Sequence, residues 1–333
     1  FNWKHLRQAE KHGGNSGTNA IILYFKHAWV SLKEAWSLFL LCIASILHAI
    51  FPPLFDFKLL ELRLKYDEKL YDFVPTHPAW DSFRKKIANK KKYMESLAYE
   101  SIIANGTSIY SSGTTGEPKL IHQTPEKLKA ADEVAIDSQK LTIKSKVYTV
   151  CKLDHAGGLL AQTLPAFRLG AEIHIEQFNP YRWVKEINKY THSHLIPAHA
   201  KAIMKTKGWR TLDLNGIWIT CGSDNVDWYI INAFVKKGAT FMATWGMTEI
   251  GPCAINTVFD NVDKVEEYRS KIIHGMDGEA SYPILGDRFY CDYQISEWDE
   301  LIVKGDICVY DDWFKTGDKV IDKDNILYYH GRI

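Results

Sequence analysis

The sequence predicts an α/β fold, with layered parallel or mixed sheets flanked by helices and a smaller β-rich, distorted barrel-like unit toward the C-terminus. From about residue 100, apolar runs of strand length alternate with segments of helix length, a pattern typical of parallel sheets covered by helices. From about residue 255, the helical periodicity fades into short strands and turns. We therefore expect α/β subdomains over residues 1–254 and a β-rich subdomain over residues 255–333.

The individual elements follow from local patterns. Strands are predicted at Ser101–Tyr110, Leu120–Gln123, Val147–Cys151, Ala171–Glu176, His194–Ile196, Gly216–Thr220 and Thr240–Thr244. Thr124 before Pro125, and Asn179 before Pro180, combine a capping side chain with a proline at the first helical position. These pairs therefore predict two helix starts.

The bulk composition excludes some partners. The formal net charge of the 333-residue chain is +1, so no overall field attracts nucleic acid or an acidic membrane. The six cysteines are scattered without a C-x-x-C pair, which indicates a reduced, intracellular protein without a zinc site. The first residues also lack the pattern of a signal peptide. We expect a cytoplasmic protein with no nucleic-acid partner; its oligomeric state is left open.

One apolar segment, Trp36–Phe51, raises the question of a membrane anchor. As a helix it spans about 24 Å, short of the roughly 30 Å hydrocarbon core of a bilayer. Upstream, Ser31 and Glu34 have the spacing of a capping box, with Ser31 as the N-cap. The pattern favours a buried helix that begins just after Ser31, and membrane contact is not expected; an anchor is the alternative.

A loop rich in glycine and hydroxyl groups, residues 111–119 (SSGTTGEPK), lies between two predicted strands. Glycines let the backbone approach an anion closely, consecutive N–H groups can hold phosphate oxygens, and a lysine adds positive charge. The spacing of the glycines and the lysine fits neither the P-loop motif G-x-x-x-x-G-K-[ST] nor the dinucleotide-binding motif G-x-G-x-x-G. The candidate phosphate-binding residues are Ser111, Ser112, Gly113, Thr114, Thr115, Gly116 and Lys119. The alternative is that this segment is a solvent-exposed hairpin without a ligand.

This arrangement of strand, loop and Pro-Lys resembles the phosphate loop of the adenylate-forming (AMP-binding) superfamily. That superfamily includes acyl- and aryl-CoA ligases, luciferases and peptide-synthetase adenylation domains. Two further segments resemble its motifs in the same order: Thr244–Glu249 (TWGMTE) and Trp313–Asp318 (WFKTGD). A final strand then ends in Gly331-Arg332, as the superfamily's does.

The resemblance implies a role for each of these residues. Trp245, next to Gly246, would lie against adenine, Thr248 would reach phosphate, and Glu249 would hold Mg²⁺. Asp318 would accept hydrogen bonds from both ribose hydroxyls, a natural task for an acceptor-only carboxylate, and Arg332 would contact ribose and phosphate.

Two less specific matches concern the part of the expected site that would hold the acid. The segment Lys152–Gly158 resembles the one whose histidine or aromatic residue gates the acid pocket, which points to His155. Cys221–Asp224 resembles a small-residue loop beside adenine and the acyl group, which points to Gly222 and Ser223. A histidine with a purely structural role in the core or a loop is the alternative for His155.

The resemblance implies ATP-dependent activation of a small carboxylic acid to an acyl-adenylate, with Mg²⁺ as cofactor. Coenzyme A would then accept the acyl group in the full-length enzyme. Catalytic roles would fall to Thr248, Glu249, Lys119 and His155. Two alternatives stay open: an amino-acid adenylation domain feeding a carrier protein, with Asp154 near the amine, and a non-catalytic nucleotide-binding module. The identity of the acid is left open.

The superfamily's mobile C-terminal domain would begin after Arg332. It carries a lysine that contacts the acid carboxylate and the α-phosphate, and loss of one such preorganised charge costs about 10²- to 10³-fold in rate. We therefore expect the 333-residue chain alone to bind ATP but to turn over slowly.

Overall fold

The computed structural model describes residues 20–50, 97–111, 119–271 and 282–333. The chain divides into two compact units, residues 1–100 and 101–333. The second unit carries all the sequence motifs.

The first unit contains one long helix, α1 (Ala20–Ile50). The prediction that a helix begins with Ser31 as its N-cap is wrong, because α1 already runs through that residue. Residues 20–30 contain neither glycine nor proline, so nothing interrupts the helix upstream. Trp29 and Trp36 are exposed, contrary to the expectation of a buried helix. Within the parts of the chain that the structure describes, no helix combines the length and hydropathy needed to cross a bilayer.

The second unit contains fourteen described strands and, after β2, seven described α-helices together with shorter helical turns. The strands are β1 (Thr107–Tyr110), β2 (Leu120–Gln123), β3 (Lys146–Thr149), β4 (Glu172–Ile175), β5 (His192–Leu195), β6 (Trp218–Cys221), β7 (Thr240–Met247), β8 (Gly251–Phe259), β9 (Ile284–Gly286), β10 (Arg288–Phe289), β11 (Asp292–Ile295), β12 (Glu300–Lys304), β13 (Phe314–Lys323) and β14 (Ile326–Arg332). The α-helices are α2 (Pro125–Gln139), α3 (Ala156–Gly158), α4 (Leu164–Leu169), α5 (Pro180–Glu186), α6 (Pro197–Met204), α7 (Trp228–Val235) and α8 (Val262–Ser270).

A seven-stranded mixed sheet forms the centre of this unit, in the order β10-β8-β7-β6-β5-β3-β4. Strands β3 to β7 are mutually parallel, whereas β8 pairs antiparallel with β7 and β10 with β8. Its core is apolar and aromatic, with Trp183, Phe234 and Phe241 fully buried. The expected α/β layers are therefore confirmed.

The β-rich C-terminal part is a separate five-stranded antiparallel sheet, in the order β11-β12-β13-β14-β9. An apolar cluster joins it to the first sheet, with Trp245 and Ile255 from β7 and β8 packing with Leu301, Val320 and Leu327. Strand β8 runs across residue 255 within the seven-stranded sheet, and the five-stranded sheet begins at residue 284. The domain boundary at residue 255 stays a prediction.

The hairpin β1–β2 precedes the large sheet and pairs Tyr110 with Leu120. The predicted strand Ser101–Tyr110 is wrong in its first half, because residues 97–105 are helical. Gly106, at φ +80°, ends this helix and lets the chain turn into β1. A short apolar run such as residues 101–104 (SIIA) does not distinguish a strand from a helix.

Both predicted helix caps are present. The Thr124 hydroxyl accepts the Lys127 N–H at 3.4 Å, which starts α2. The Asn179 side chain accepts the N–H groups of Tyr181 and Arg182 at 3.0 and 3.1 Å, which starts α5.

Between α3 and α4, Leu159–Thr163 form a π-helical turn. The Thr163 hydroxyl donates to the carbonyl of Gly158, five residues earlier, at 2.7 Å. Gly158 is fixed by crowding: a Cβ there would lie 1.9 Å from the Lys152 carbonyl oxygen. This tightly packed turn sets the start of α3, whose first residues face the cleft described next.

Candidate active site

A cleft of about 420 Å³ opens at one edge of the seven-stranded sheet. Three of its walls are segments that follow or end parallel strands: residues 155–157 after β3, residues 223–226 after β6, and residues 244–249 at the end of β7. In open α/β sheets, ligands bind outside the carboxyl ends of the parallel strands, because loops from neighbouring strands meet there. Residues 318, 329 and 332 of the five-stranded sheet close the cleft from another side.

The phosphate-loop hairpin reaches this cleft through its two ends, Ser111 and Lys119. They are bonded twice: the Ser111 N–H donates to the Lys119 carbonyl at 2.8 Å, and the Lys119 N–H donates to the Ser111 hydroxyl at 3.1 Å. Gln123 on β2 also donates to the carbonyl of Thr248 at 2.5 Å, which ties the hairpin to the end of β7. The predicted residues Ser112, Gly113, Thr114, Thr115 and Gly116 lie outside the described residues.

The end of β7 contributes Trp245, Gly246, Thr248 and Glu249 to the cleft wall. Gly246 is required where β7 turns into β8, because a Cβ there would lie 2.1 Å from the Gly251 carbonyl oxygen. Glu249 is buried, and its carbonyl accepts the Val309 N–H at 2.8 Å. The structure therefore brings this whole motif into the cleft.

The residues assigned to ribose lie together. Asp318 on β13 pairs in register with Arg332 on β14, and the Arg332 Nη1 atom is 3.5 Å from Asp318 Oδ1. The indole N–H of Trp245 donates to Asp318 Oδ2 at 2.9 Å. Burial raises the pKa of Asp318 above its ordinary value, while the Trp245 hydrogen bond and the charge of Arg332 oppose this rise. The result is a buried acceptor facing the cleft.

His155 lines the cleft and is the N-cap of α3. Its Nδ1 atom accepts the Gly157 N–H at 3.2 Å, which leaves Nε2 to carry the proton of the neutral ring. Burial lowers the pKa of His155, although the neighbouring Asp154 opposes this effect. His155 is therefore an uncharged hydrogen-bond donor near neutral pH.

Ser223 lines the cleft in a left-handed conformation, at φ +69°, which is rare for residues other than glycine. Gly222 does not line the cleft itself. A Cβ at Gly222 would lie 2.5 Å from the Thr244 carbonyl oxygen, so this glycine lets the loop after β6 pass close to β7.

His194, a buried residue on β5, lies close to Gly157 of the cleft wall and was not among the site residues predicted from the sequence. Neither ring nitrogen has a hydrogen-bond partner among the described residues. Burial lowers the pKa of His194 to about 3, and His155 and His199 nearby act in the same direction. A Cβ on Gly157 would lie 3.1 Å from both His194 Nε2 and Ser223 Oγ, so the glycine makes room for these groups. The sequence predicted this histidine only as the first residue of a strand, His194–Ile196.

Glu249 is the candidate ligand for Mg²⁺. No group of three or more His, Cys, Asp or Glu residues in the described ranges could hold a metal ion by itself. Mg²⁺ commonly binds through one or two carboxylates together with substrate phosphates and water. Glu249, a cleft-lining carboxylate, fits that mode of binding.

Comparison with known proteins identifies a family and several relatives. The family model described as AMP-binding enzyme matches residues 83–278, more than half of the chain. An indoleacetate–CoA ligase of Aromatoleum aromaticum is 28% identical over 244 residues, which cover 67% of this chain and 46% of that protein. An acyl-CoA synthetase of Gibberella moniliformis is 25% identical over 149 residues, 43% of this chain and 27% of that protein. The chain thus matches less than half the length of either relative.

Among solved structures, the adenylation domain of a keto acid-selecting NRPS module, bound to a keto acyl adenylate, is similar in fold. The TM-score is 0.56 at 18% sequence identity, and the match covers 68% of this chain and 52% of that one.

Proposed function

The chain belongs to the AMP-binding enzyme family, and on that premise we propose that it binds ATP and a small carboxylic acid in the cleft and activates the acid as an acyl-adenylate. One observation carries the proposal. Ten residues singled out from separate segments of the sequence line a single cleft: Ser111, Lys119, His155, Ser223, Trp245, Gly246, Thr248, Glu249, Asp318 and Arg332.

The proposed reaction joins the acid to the nucleotide. A carboxylate oxygen of the acid attacks the α-phosphorus of ATP, a new P–O bond forms, and the bond to the β-phosphate breaks. Pyrophosphate leaves with the electron pair, and the acid becomes an acyl-AMP. No bond to the protein forms, so the chain acts by positioning the reactants and by stabilising charge.

Each cleft residue has a proposed task. Lys119 and Ser111 lie where the phosphates would be held, and Thr248 adds a hydroxyl donor. Glu249 would hold Mg²⁺, which would supply positive charge to offset that of the phosphates. These groups matter most for the departing pyrophosphate, because its negative charge grows as the bond breaks.

The remaining residues position the two substrates. Asp318 and Arg332 would bind the ribose, and the ring of Trp245 would lie against adenine. The neutral His155 and the Ser223 hydroxyl would border the acid and offer hydrogen bonds without adding charge. In the full-length protein we propose that the thiol of coenzyme A then attacks the acyl carbon, AMP leaves, and a thioester forms.

The amino-acid alternative has weaker support. Asp154, the residue expected near an amine, is exposed and does not line the cleft. We therefore favour an acid without an amino group. A panel of aryl, alkyl and amino acids in ATP–pyrophosphate exchange with the full-length protein tests this choice, and exchange with amino acids alone would reverse it.

Calorimetric titration of the chain with ATP and Mg²⁺ tests nucleotide binding. We expect Asp318→Ala to weaken ATP affinity about tenfold or more, because hydrogen bonds to a charged group contribute about 1.5–3 kcal/mol. Asp292→Ala is the matched control, since this exposed aspartate lies on β11 of the same sheet and outside the cleft. No ATP binding by the unaltered chain would refute the proposal, and unchanged affinity in Asp318→Ala would remove that residue from the site.

A further inference from the structure

We propose that Trp245 makes the cleft recognise one ribose hydroxyl more strongly than the other, because its indole N–H already takes one acceptor position on the Oδ2 atom of Asp318 and none on Oδ1. The inference rests on the proposed binding of ATP.

The indole cannot easily give up this hydrogen bond. Trp245 is 8% exposed and Asp318 is 5% exposed, and the Nε1–Oδ2 distance is 2.9 Å. The ring packs in the apolar cluster between the two sheets, against residues such as Ile255 and Leu301. A buried indole N–H without an acceptor is unfavourable, so the bond persists in the absence of nucleotide. Because β7 and β13 belong to different sheets, this bond also links the two sheets at the cleft.

The other carboxylate oxygen of Asp318, Oδ1, is buried and accepts no hydrogen bond from the described residues. The Arg332 Nη1 atom is 3.5 Å away, a charge contact longer than an ordinary charge-assisted hydrogen bond. The backbone around Asp318 is fixed, because its N–H donates to the Thr316 hydroxyl at 3.1 Å. Oδ1 is thus a positioned acceptor that lacks a donor.

This asymmetry has a consequence for the sugar. A carboxylate with both oxygens free accepts two neighbouring hydroxyls equally well. In this chain Oδ2 already accepts the indole N–H, so the hydroxyl that meets Oδ1 gains a full hydrogen bond and the other gains a weaker one. Trp245 is therefore a positioning residue that sets selectivity through Asp318.

The test compares ATP, 2′-deoxy-ATP and 3′-deoxy-ATP by calorimetric titration of the chain. We expect one deoxy analogue to bind about tenfold or more weakly than ATP, the usual loss for a hydrogen bond to a charged group. The other analogue should bind within about threefold of ATP. In Trp245→Phe, which keeps an aromatic ring but removes the N–H, the two analogues should become similar to each other.

The readout is a ratio of affinities, so a purely structural role of Trp245 would lower all three affinities together and leave the ratio unchanged. Trp298→Phe is the matched control, because this tryptophan is 77% exposed and lies outside the cleft; it should keep the asymmetry. Where Trp245→Phe does not fold, Trp245→Met, which also lacks a donor, supplies the comparison.

Three results have distinct meanings. Equal losses for the two deoxy analogues in the unaltered chain would overturn the inference, and so would an asymmetry that survives in Trp245→Phe or Trp245→Met. Absence of ATP binding by the unaltered chain would instead overturn the proposed function. The two failures are therefore distinguishable.

Discussion

The buried carboxyl group of Asp132 should make the second unit less stable as the pH rises. Asp132 lies on α2 with no exposed side-chain surface, and its Oδ2 atom accepts a hydrogen bond from Arg168 Nε at 2.7 Å. Its Oδ1 atom has no partner among the described residues. Burial raises the pKa of Asp132 from 3.8 to about 7, although the hydrogen bond and charge of Arg168 oppose the rise.

The sign and size follow from these values. Between pH 4 and 7 the folded chain holds a proton on Asp132 that the unfolded chain has lost, so the free energy of unfolding falls as the pH rises. The contribution is fully present below about pH 4 and is lost by the time the pH passes about 7. At 1.36 kcal/mol per pKa unit, the total loss is about 4 kcal/mol, of which about 2 kcal/mol falls between pH 5.5 and 8.

Urea unfolding at several pH values, with the unaltered chain and Asp132→Asn, measures this loss. We expect the difference in unfolding free energy between the two proteins to change by about 2 kcal/mol from pH 5.5 to 8, with the unaltered chain losing stability relative to the variant. Glu133→Gln is the matched control: its carboxylate is next in sequence but 64% exposed, and it should keep most of the pH dependence. A difference that does not vary with pH would mean that Arg168 keeps Asp132 ionised throughout, and the reasoning from burial would be refuted.

Three further predictions concern the cleft. Glu249→Gln should reduce the gain in ATP affinity that Mg²⁺ gives, because a neutral amide is a poorer ligand for a hard cation; titrations with and without Mg²⁺ check this, and an unchanged gain would remove Glu249 as a ligand. Gly158→Ala should lower the unfolding free energy by several kcal/mol, since its Cβ would lie 1.9 Å from a backbone oxygen; Gly170→Ala, at φ +71° in open space, should cost only about 1 kcal/mol, and equal losses would contradict the clash. Ser223→Gly should raise the unfolding free energy by about 1 kcal/mol, because glycine adopts the left-handed backbone without strain, and should weaken acid binding. The control Lys140→Gly, at φ +55° outside the cleft, should raise the unfolding free energy and leave acid binding unchanged.

The order of the motifs was the strongest guide to the site. Ser111, Trp245 and Asp318 are distant in sequence and were assigned to one site because their segments resemble superfamily motifs in the same order; all three line one cleft. The meeting of loops after neighbouring parallel strands accounts only for Trp245, because Ser111 and Asp318 belong to a hairpin and to a second sheet. The helix caps at Thr124 and Asn179 were also predicted, since they depend on only a few adjacent residues.

What the sequence did not reveal depends on tertiary contacts. The Trp245–Asp318 hydrogen bond joins residues 73 positions apart on two different sheets, and no local pattern indicates it. His194 was overlooked because β5 is buried along its whole length, and the sequence does not show which of its residues lie near the loops of a site. The helical residues 101–105 and the start of α1 at residue 20 were mispredicted, because short apolar runs and isolated capping motifs are ambiguous without their neighbours.

The π-helical turn Leu159–Thr163 gives this segment a tolerance for length that an α-helix lacks. A π turn holds about one residue more than an α turn, and each α-helical residue rotates the chain by about 100°. The turn lies between Gly157, which borders the cleft, and Arg168, which meets the buried Asp132. Removal of one residue from the turn would leave an α turn that covers the same rotation, so both orientations would be kept, whereas removal of one residue of α4 ahead of Arg168 would turn that side chain away from Asp132.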